Sequence, residues 1–148
     1  MSKEKPDHHD AELVLRVYDM RREPVLRQSR AEINGKFWPR SYDDVTPIFK
    51  TDHPLNAAWR QVGTYWEMVY GMVKHGIVHA GYFLETNGEG LFFFAKIAPY
   101  LDQIRRDQNP NSFKNAEWVT KECPEGKTLF EGISARVKRI AEARAAQS

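Results

Sequence analysis

The sequence predicts an all-α domain, a single compact bundle of about five or six helices. Two observations support this prediction. Apolar residues recur at alternating steps of three and four along most of the 148 residues, which is the period of one helical face. Glycine or proline stands at the ends of these runs, where either residue starts or stops a helix.

The composition excludes several classes of protein. With 41% hydrophobic and 28% charged residues, the chain is neither disordered nor collagen-like. A formal net charge of +2 does not favour a polyanionic partner such as nucleic acid. One cysteine, Cys123, rules out an intramolecular disulfide, and the charged opening over Met1–Pro6 lacks the apolar stretch of a secretory signal. We therefore expect a cytoplasmic protein, without a membrane span because the longest apolar run, Leu91–Ala95, is too short.

The first element is a long amphipathic helix over Glu12–Asn34, which Gly35 stops. Pro24 interrupts it, so the helix either kinks there or gives way to a second helix with Pro24 as its first residue. We expect the kink. The domain is expected to run over residues 12–144, between a polar segment 1–11 and a frayed tail 145–148.

The middle of the chain contains the clearest helix. Ser41 to Asp44 offer a capping-box-like start to a short helix that runs toward Phe49. Next, a continuous helix is predicted over Pro54–His75, and Gly76 stops it. Its apolar seam has helical spacing and consists of Leu55, Trp59, Val62, Trp66, Val69 and Val73.

The segment from Val78 to Ile97 allows two interpretations. Asn87-Gly88 between two apolar runs is a strong signal for a β-hairpin. We favour two helices, because Thr86 and Glu89 have capping-box spacing and the helical apolar spacing continues past any strand length. Pro99 is expected to kink the second of these helices, which is predicted over Leu91–Arg106.

Two helices are predicted in the C-terminal part. A short one turns Phe113, Ala116 and Val119 inward and ends at Cys123-Pro124. The last one has a narrow apolar seam of coiled-coil spacing, formed by Phe130, Ile133, Val137 and Ile140. This seam is the candidate interface of a homodimer, although the same pattern also occurs where a helix only closes the core of a monomer.

Motifs for common metal and catalytic sites are missing. The chain has no Glu-x-x-His, His-Glu-x-x-His, Gly-x-Ser-x-Gly, phosphate-binding glycine loop or paired Cys-x-x-Cys. His75 and His79 have the spacing of two metal ligands, but Gly76 interrupts the helix between them and no third ligand is evident. No cofactor, metal or catalytic residue is therefore predicted.

Glu67 is the most informative carboxylate, because it lies at the margin of an aromatic helix face that includes Tyr70. Gly63 and Gly71, one turn away on each side, leave room for another segment. A desolvated carboxylate there can act as a general base. We favour a structural ion pair instead, because buried charges persist by pairing. The candidate ligand-binding residues are Glu67, Arg21, Arg22 and Tyr70.

Several segments carry a resemblance to a group of short uncharacterised bacterial helical proteins. They are Val17 to Glu23, Arg60 to Val62, Tyr65 to Met68, His75-Gly76, and Phe94 to Ile97 with Pro99 and Arg105. The resemblance covers most of the chain and implies an all-helical fold, with no activity assigned and no catalytic residue to carry over. The central part is also similar to a wider family of unknown function that includes phage abortive-infection proteins.

These observations favour a protein-interaction or assembly module, with a possible homodimer or an unidentified protein as partner. The alternative is an enzyme or small-molecule binder that uses a pocket beside Glu67 and neighbouring arginines.

Overall fold

The structure, a computed structural model that describes residues 3–148, is all-helical as the sequence predicts. Helix accounts for 75% of the chain, and no strand occurs among the described residues. The expected five or six helices are too few, because prolines and loops divide runs that the sequence pattern joins. The helices are α1 (His8–Arg21), α2 (Pro24–Lys36), α3 (Tyr42–Val45), α4 (Asn56–Lys74), α5 (Ala80–Leu84), α6 (Glu89–Ile97), α7 (Leu101–Asp107), α8 (Lys114–Lys121) and α9 (Pro124–Ala146).

The N-terminal helical region is two helices and not one kinked helix, so the expected kink is wrong. α1 ends at Arg21, and Pro24 is the first residue of α2. The Glu23 carboxylate caps α2 by accepting the backbone N–H groups of Val25 (3.1 Å) and Leu26 (2.8 Å). Proline suits this position because the first turn of a helix has no use for its missing N–H.

The two ends of the chain are more helical than expected. α1 begins at His8, inside the segment 1–11 that the sequence predicts to be a polar extension. Asp7 caps it, accepting the N–H groups of His9 and Asp10, while the Asp10 carboxylate accepts the Asp7 N–H. At the other end, α9 continues to Ala146.

α4 is the central helix of the bundle and packs against α2 and α8. It covers most of the predicted range, and Gly76 follows it in the left-handed conformation (φ 70°) that stops a helix. Its inward residues are almost entirely buried and include Val62, Trp66, Val69, Tyr70 and Val73.

The segment around Asn87-Gly88 joins two helices, so the helical interpretation is confirmed and the hairpin alternative is wrong. The predicted capping box does not form, because α6 begins at Glu89 without any side-chain cap. Thr86 accepts a hydrogen bond from the Asn87 side chain, and Glu89 pairs with Arg30 of α2. Pro99 lies in a 3-10 turn, Ala98–Tyr100, that separates α6 from α7.

α9 closes the other side of the bundle by packing on α5, α6 and α8. Its close approach to α8 needs a glycine, because a Cβ at Gly126 would overlap the Val119 carbonyl oxygen. Between residues 3 and 148, no helix is both long enough and apolar enough to cross a membrane.

Candidate functional site

Glu67 is bound to the start of α8 and not to an arginine. Its Oε2 accepts the Asn115 backbone N–H at 2.7 Å, and its Oε1 accepts the Ala116 N–H at 3.0 Å. The Asn115 side chain in turn donates to the Glu67 carbonyl at 3.0 Å. The predicted pair with Arg21 or Arg22 is therefore wrong: the first N–H groups of α8, which lack partners within their own helix, bind the carboxylate instead.

Arg21 and Tyr70 meet at Asn87, which the sequence analysis places at the junction of two helices without a binding role. The Arg21 guanidinium donates to the Asn87 side-chain oxygen, and the Tyr70 hydroxyl donates to the Asn87 carbonyl at 2.8 Å. The side-chain amide of Asn87 donates hydrogen bonds to the Phe83 carbonyl and the Thr86 hydroxyl. Asn87 is thus a buried connector between α1, α4 and the junction of α5 with α6.

The buried Arg21 is stabilised by an aromatic ring rather than by a carboxylate. Its guanidinium lies 5.4 Å from the centroid of the Trp66 ring. Arg21, the last residue of α1, is only 8% exposed. The closest ion pair in this region joins Arg30 to Glu89, at 2.6 Å. Burial raises the pKa of Tyr70, which therefore stays a neutral hydrogen-bond donor.

The four candidate ligand-binding residues do not form one site. Arg21 and Tyr70 belong to the buried Asn87 network, whereas Glu67 belongs to the α4–α8 contact. Arg22 is exposed at the end of α1, and its guanidinium lies 5.9 Å from the centroid of the Tyr18 ring.

A cleft of about 570 Å³ does lie beside Glu67, between α4 and the loop that joins α7 to α8. One wall is a face of α4 with Arg60, Gly63, Thr64 and Glu67. The apolar floor is formed by Phe49, Trp59, Ile104 and Phe113, and the opposite rim by Gln108, Asn109, Asn111 and Ser112.

The floor of this cleft is an aromatic cluster centred on Trp59. Its ring makes edge-to-face contacts with Phe49 (5.8 Å), Phe113 (5.6 Å) and Phe93 (5.5 Å). Phe113 has a left-handed backbone (φ 60°), which is unfavourable for an aromatic residue. Such a conformation persists only where the surroundings hold it, so this side of the cleft is held rigidly.

The loop of the cleft is fixed from both ends. Arg105 of α7 donates to the Ser112 carbonyl at 2.9 Å and pairs with Glu117 of α8 at 3.2 Å. On the other side, Glu67 binds the first turn of α8. The cleft is therefore formed before any ligand arrives.

Among the described residues, Arg60 is the cation that lines the cleft. It is exposed, and its Nε donates to the Asn56 side chain at 3.1 Å. Thr64, one turn later, donates its hydroxyl to the Arg60 carbonyl at 2.6 Å. The guanidinium consequently keeps most of its N–H groups for solvent or a ligand.

Of the two histidines with ligand spacing, His79 has a structural contact. It caps α5 by accepting the Tyr82 N–H at 3.0 Å, and no group of three metal-ligating residues occurs in the described chain.

The apolar seam of α9 is buried over most of its length. Phe130 and Ile133 pack on the core, Val137 is buried and Ile140 is partly exposed. Use of the seam as a dimer interface stays a prediction.

Sequence reasoning missed several buried polar residues besides Asn87, and two of them are charged. Asp10 is fully buried, and Lys96 of α6 is 4% exposed. The signal for Lys96 was available, since it is one charge within an apolar run that extends from Leu91 to Ala98. Asp10 gave no such signal, because its partner His79 is distant in sequence.

The comparisons with known proteins identify a family without an activity. A model of DUF4760, described as a domain of unknown function, matches residues 6–123, which end directly before α9. No curated protein and no solved structure matches the chain significantly. The likeness to phage abortive-infection proteins and the bacterial origin stay predictions. Since the match covers most of the chain, the protein belongs to the DUF4760 family, a domain of unknown function.

Proposed function

We propose that this protein is a binding module whose cleft between α4 and the α7–α8 loop takes a small organic anion with an apolar body. The observation that carries the proposal is the combination of an aromatic floor with Arg60 on the wall of one cleft. The sequence analysis offers a small-molecule pocket beside Glu67 and neighbouring arginines as its alternative. We assign that pocket to this cleft, in which the neighbouring arginine is Arg60.

The floor supports the apolar half of the proposed ligand. The volume of about 570 Å³ lies in the range of small-molecule sites, which are lined mostly by apolar and aromatic groups. Gly63 lies against the floor, because a Cβ there would already be in van der Waals contact with the Phe113 ring at 3.7 Å. A planar apolar body would therefore lie over the rings of the floor and not between them and Gly63.

The α4 wall of the cleft suits the anionic end of the proposed ligand. Arg60 presents a planar fork of N–H donors that matches a carboxylate or a sulfonate. Glu67, about 10 Å along the helix, directs its charge to the N-terminus of α8, where it is partly neutralised. The anionic end of a ligand is thus expected at Arg60, and its apolar end toward Phe113.

Binding is favoured over catalysis because the reactive groups of the cleft are engaged in the fold. Both Glu67 oxygens accept backbone N–H groups, and the Thr64 hydroxyl donates to the Arg60 carbonyl. A nucleophile needs a base within hydrogen-bond reach, and these contacts leave neither residue in that role.

Titration with 1-anilinonaphthalene-8-sulfonate, an apolar fluorescent anion, tests the proposal. We expect the native protein to bind the probe and Arg60→Gln to weaken binding about tenfold, the value of one charge-assisted bidentate contact. Gly63→Leu should block the cleft. Arg27→Gln, which removes an exposed charge from α2, is the matched control and should bind like the wild type. Equal affinity of all four proteins would reject the cleft as the site.

A second candidate function is self-association through α9. It is supported by Ile140, which stays partly exposed at the far end of the seam and lies outside the hydrophobic core. A seam of this spacing can pair with a second copy about a twofold axis. Light scattering tests it, as described below.

A further inference from the structure

A group of basic side chains surrounds Trp38 at the C-terminal end of α2. This basic cluster consists of Lys36, Arg40, Lys96 and Arg144. The Lys96 ammonium lies 4.0 Å from the centroid of the Trp38 ring, and the Arg144 guanidinium lies 5.1 Å from it. Beside the ring is a hollow of about 400 Å³, lined by Lys36, Trp38, Arg40, Ala141, Arg144, Gln147 and Ser148.

The side-chain charges of the basic cluster are not neutralised by carboxylates. Within residues 3–148, none of its four members takes part in an ion pair. Asp44 accepts the backbone N–H of Arg40 at 2.8 Å and not its guanidinium, and Glu89 acts on Lys96 through space without forming an ion pair with it. Arg40 donates instead to the Ser148 hydroxyl at 2.9 Å.

The C-terminus of α2 accounts for only part of this charge. Lys96 donates to the carbonyls of Ile33 (3.1 Å) and Phe37 (3.0 Å), and Arg144 donates to that of Gly35 (2.9 Å). Cations are favourable at a helix C-terminus, which explains these contacts. No backbone carbonyl within residues 3–148 accepts a hydrogen bond from the side chains of Lys36 and Arg40 or from the other N–H groups of Arg144.

The cluster also carries internal repulsion. Burial, and after it the positive charge of Arg144, lowers the pKa of Lys96 to about 7. The positive side chains of Lys36, Arg40 and Arg144 line one hollow and repel each other, and a bound anion would offset that repulsion.

We propose that the hollow beside Trp38 binds the phosphate group of a ligand, held by Lys36, Arg40 and Arg144. Two guanidinium groups and one ammonium that line one open hollow match a multiply charged oxyanion, because a guanidinium can donate two parallel hydrogen bonds. This site is separate from the cleft at Arg60, and neither proposal depends on the other.

Calorimetric titration with inorganic pyrophosphate at low ionic strength tests the site. The wild type is expected to bind, and the double variant Arg40→Gln with Arg144→Gln is expected to bind at least about tenfold more weakly. Arg144→Lys keeps the charge but loses the paired hydrogen bonds of the guanidinium, and should bind with an affinity between those of the wild type and the double variant. Far-ultraviolet circular dichroism checks that each variant is folded.

Two controls separate a specific site from general charge. Arg139→Gln removes an exposed charge of the same helix, and Arg27→Gln removes an exposed charge of α2; both should bind pyrophosphate like the wild type. Absence of binding to pyrophosphate and to vesicles, or an equal loss in Arg139→Gln, would overturn the proposal.

Vesicles distinguish a soluble ligand from a lipid headgroup. Vesicles of phosphatidylcholine with phosphatidic acid are compared with vesicles of phosphatidylcholine alone. Sedimentation only with the acidic lipid, lost in the double variant, would assign the site to a phosphate headgroup. Binding of pyrophosphate without sedimentation would assign it to a soluble phosphate ligand.

Discussion

Glu67 of α4 accepts the backbone N–H of Ala116 at 3.0 Å and so caps a helix to which it does not belong. A second N–H, that of Asn115, completes the contact. This pair of hydrogen bonds fixes α8 against the central helix and closes one side of the cleft. The carboxylate therefore stabilises the fold and shapes the candidate site at the same time.

Substitution of Glu67 should cost about as much as loss of a helix cap. We expect Glu67→Ala to lower the free energy of unfolding by about 1–2 kcal/mol, and Glu67→Gln by less because an amide oxygen still accepts one N–H. Urea unfolding measures both. Glu122→Ala, at the other end of α8, is the control and should change little. Equal losses at Glu67 and Glu122 would contradict the capping role.

Asp10 should make stability depend on pH in acid. Burial would raise the pKa of its carboxyl, but hydrogen bonds from the N–H groups of Asp7 and His79 and from the Lys3 ammonium outweigh burial and lower it to about 2. A lowered pKa contributes stability above the unfolded pKa of 3.8, lost as pH falls toward about 2.

The measurement compares the wild type with Asp10→Asn by urea unfolding at several pH values. We expect a gap of about 2 kcal/mol near neutral pH that narrows between about pH 4 and about pH 2. Other carboxylates titrate in both proteins and cancel in the difference. A gap that is constant over this range would mean that the charge of Asp10 does not matter.

Lys96 should also make stability rise with pH, in the neutral to alkaline range. Because its pKa is lowered to about 7 from 10.5, the folded state binds fewer protons than the unfolded state between these values. The contribution of Lys96 to stability therefore rises with pH across this window. We expect the stability difference between the wild type and Lys96→Met to move in favour of the wild type from about pH 7 to about pH 10. No change with pH would contradict it.

Gly90 of α6 should not tolerate a side chain. A Cβ there would lie 2.5 Å from Trp66 Cδ2 and from the Tyr70 hydroxyl, which are held in the buried core. Gly90→Ala is expected to lower the melting temperature and to cost about 1–3 kcal/mol through overpacking. Gly132→Ala in α9 is the matched control: no atom lies within 4 Å of its Cβ, so helix propensity alone should stabilise by about 0.5–1 kcal/mol. Stabilisation by both changes would contradict the close approach.

Light scattering after size exclusion tests the homodimer. If α9 forms the interface, Ile140→Glu should give a folded monomer, because Ile140 is partly exposed and its replacement leaves the core contacts of Phe130 and Ile133 intact. Ala143→Glu adds the same charge at an exposed position and serves as the control. A wild type that is monomeric over the whole dilution range would end this hypothesis.

The sequence predicts a helix best where the apolar residues of a single helix face repeat regularly. Val62, Trp66 and Val69 repeat at the helical period, so α4 follows from local pattern alone. The kink predicted at Pro24 is wrong, because a single proline is compatible both with a kinked helix and with the start of a new helix. The Glu23 cap that favours the new helix is a conformational detail of the folded chain.

The candidate site could be predicted only in part. Glu67 was identified from its place on an aromatic helix face, but its partner lies 48 positions away in the chain. Arg21 and Asn87 are separated by 66 positions, and no local spacing relates them. Partners of this kind depend on which helices become neighbours.

The sequence by itself determined the helical class, the central α4 and the stop at Gly76, because periodicity and backbone preferences are local properties. The tertiary structure alone decided that Glu67 caps α8, that Arg21 is buried on Trp66, and that Arg60 shares a cleft with Phe113. The physical reason is that a buried polar group must find a partner wherever packing brings one close, and packing is set by the whole chain.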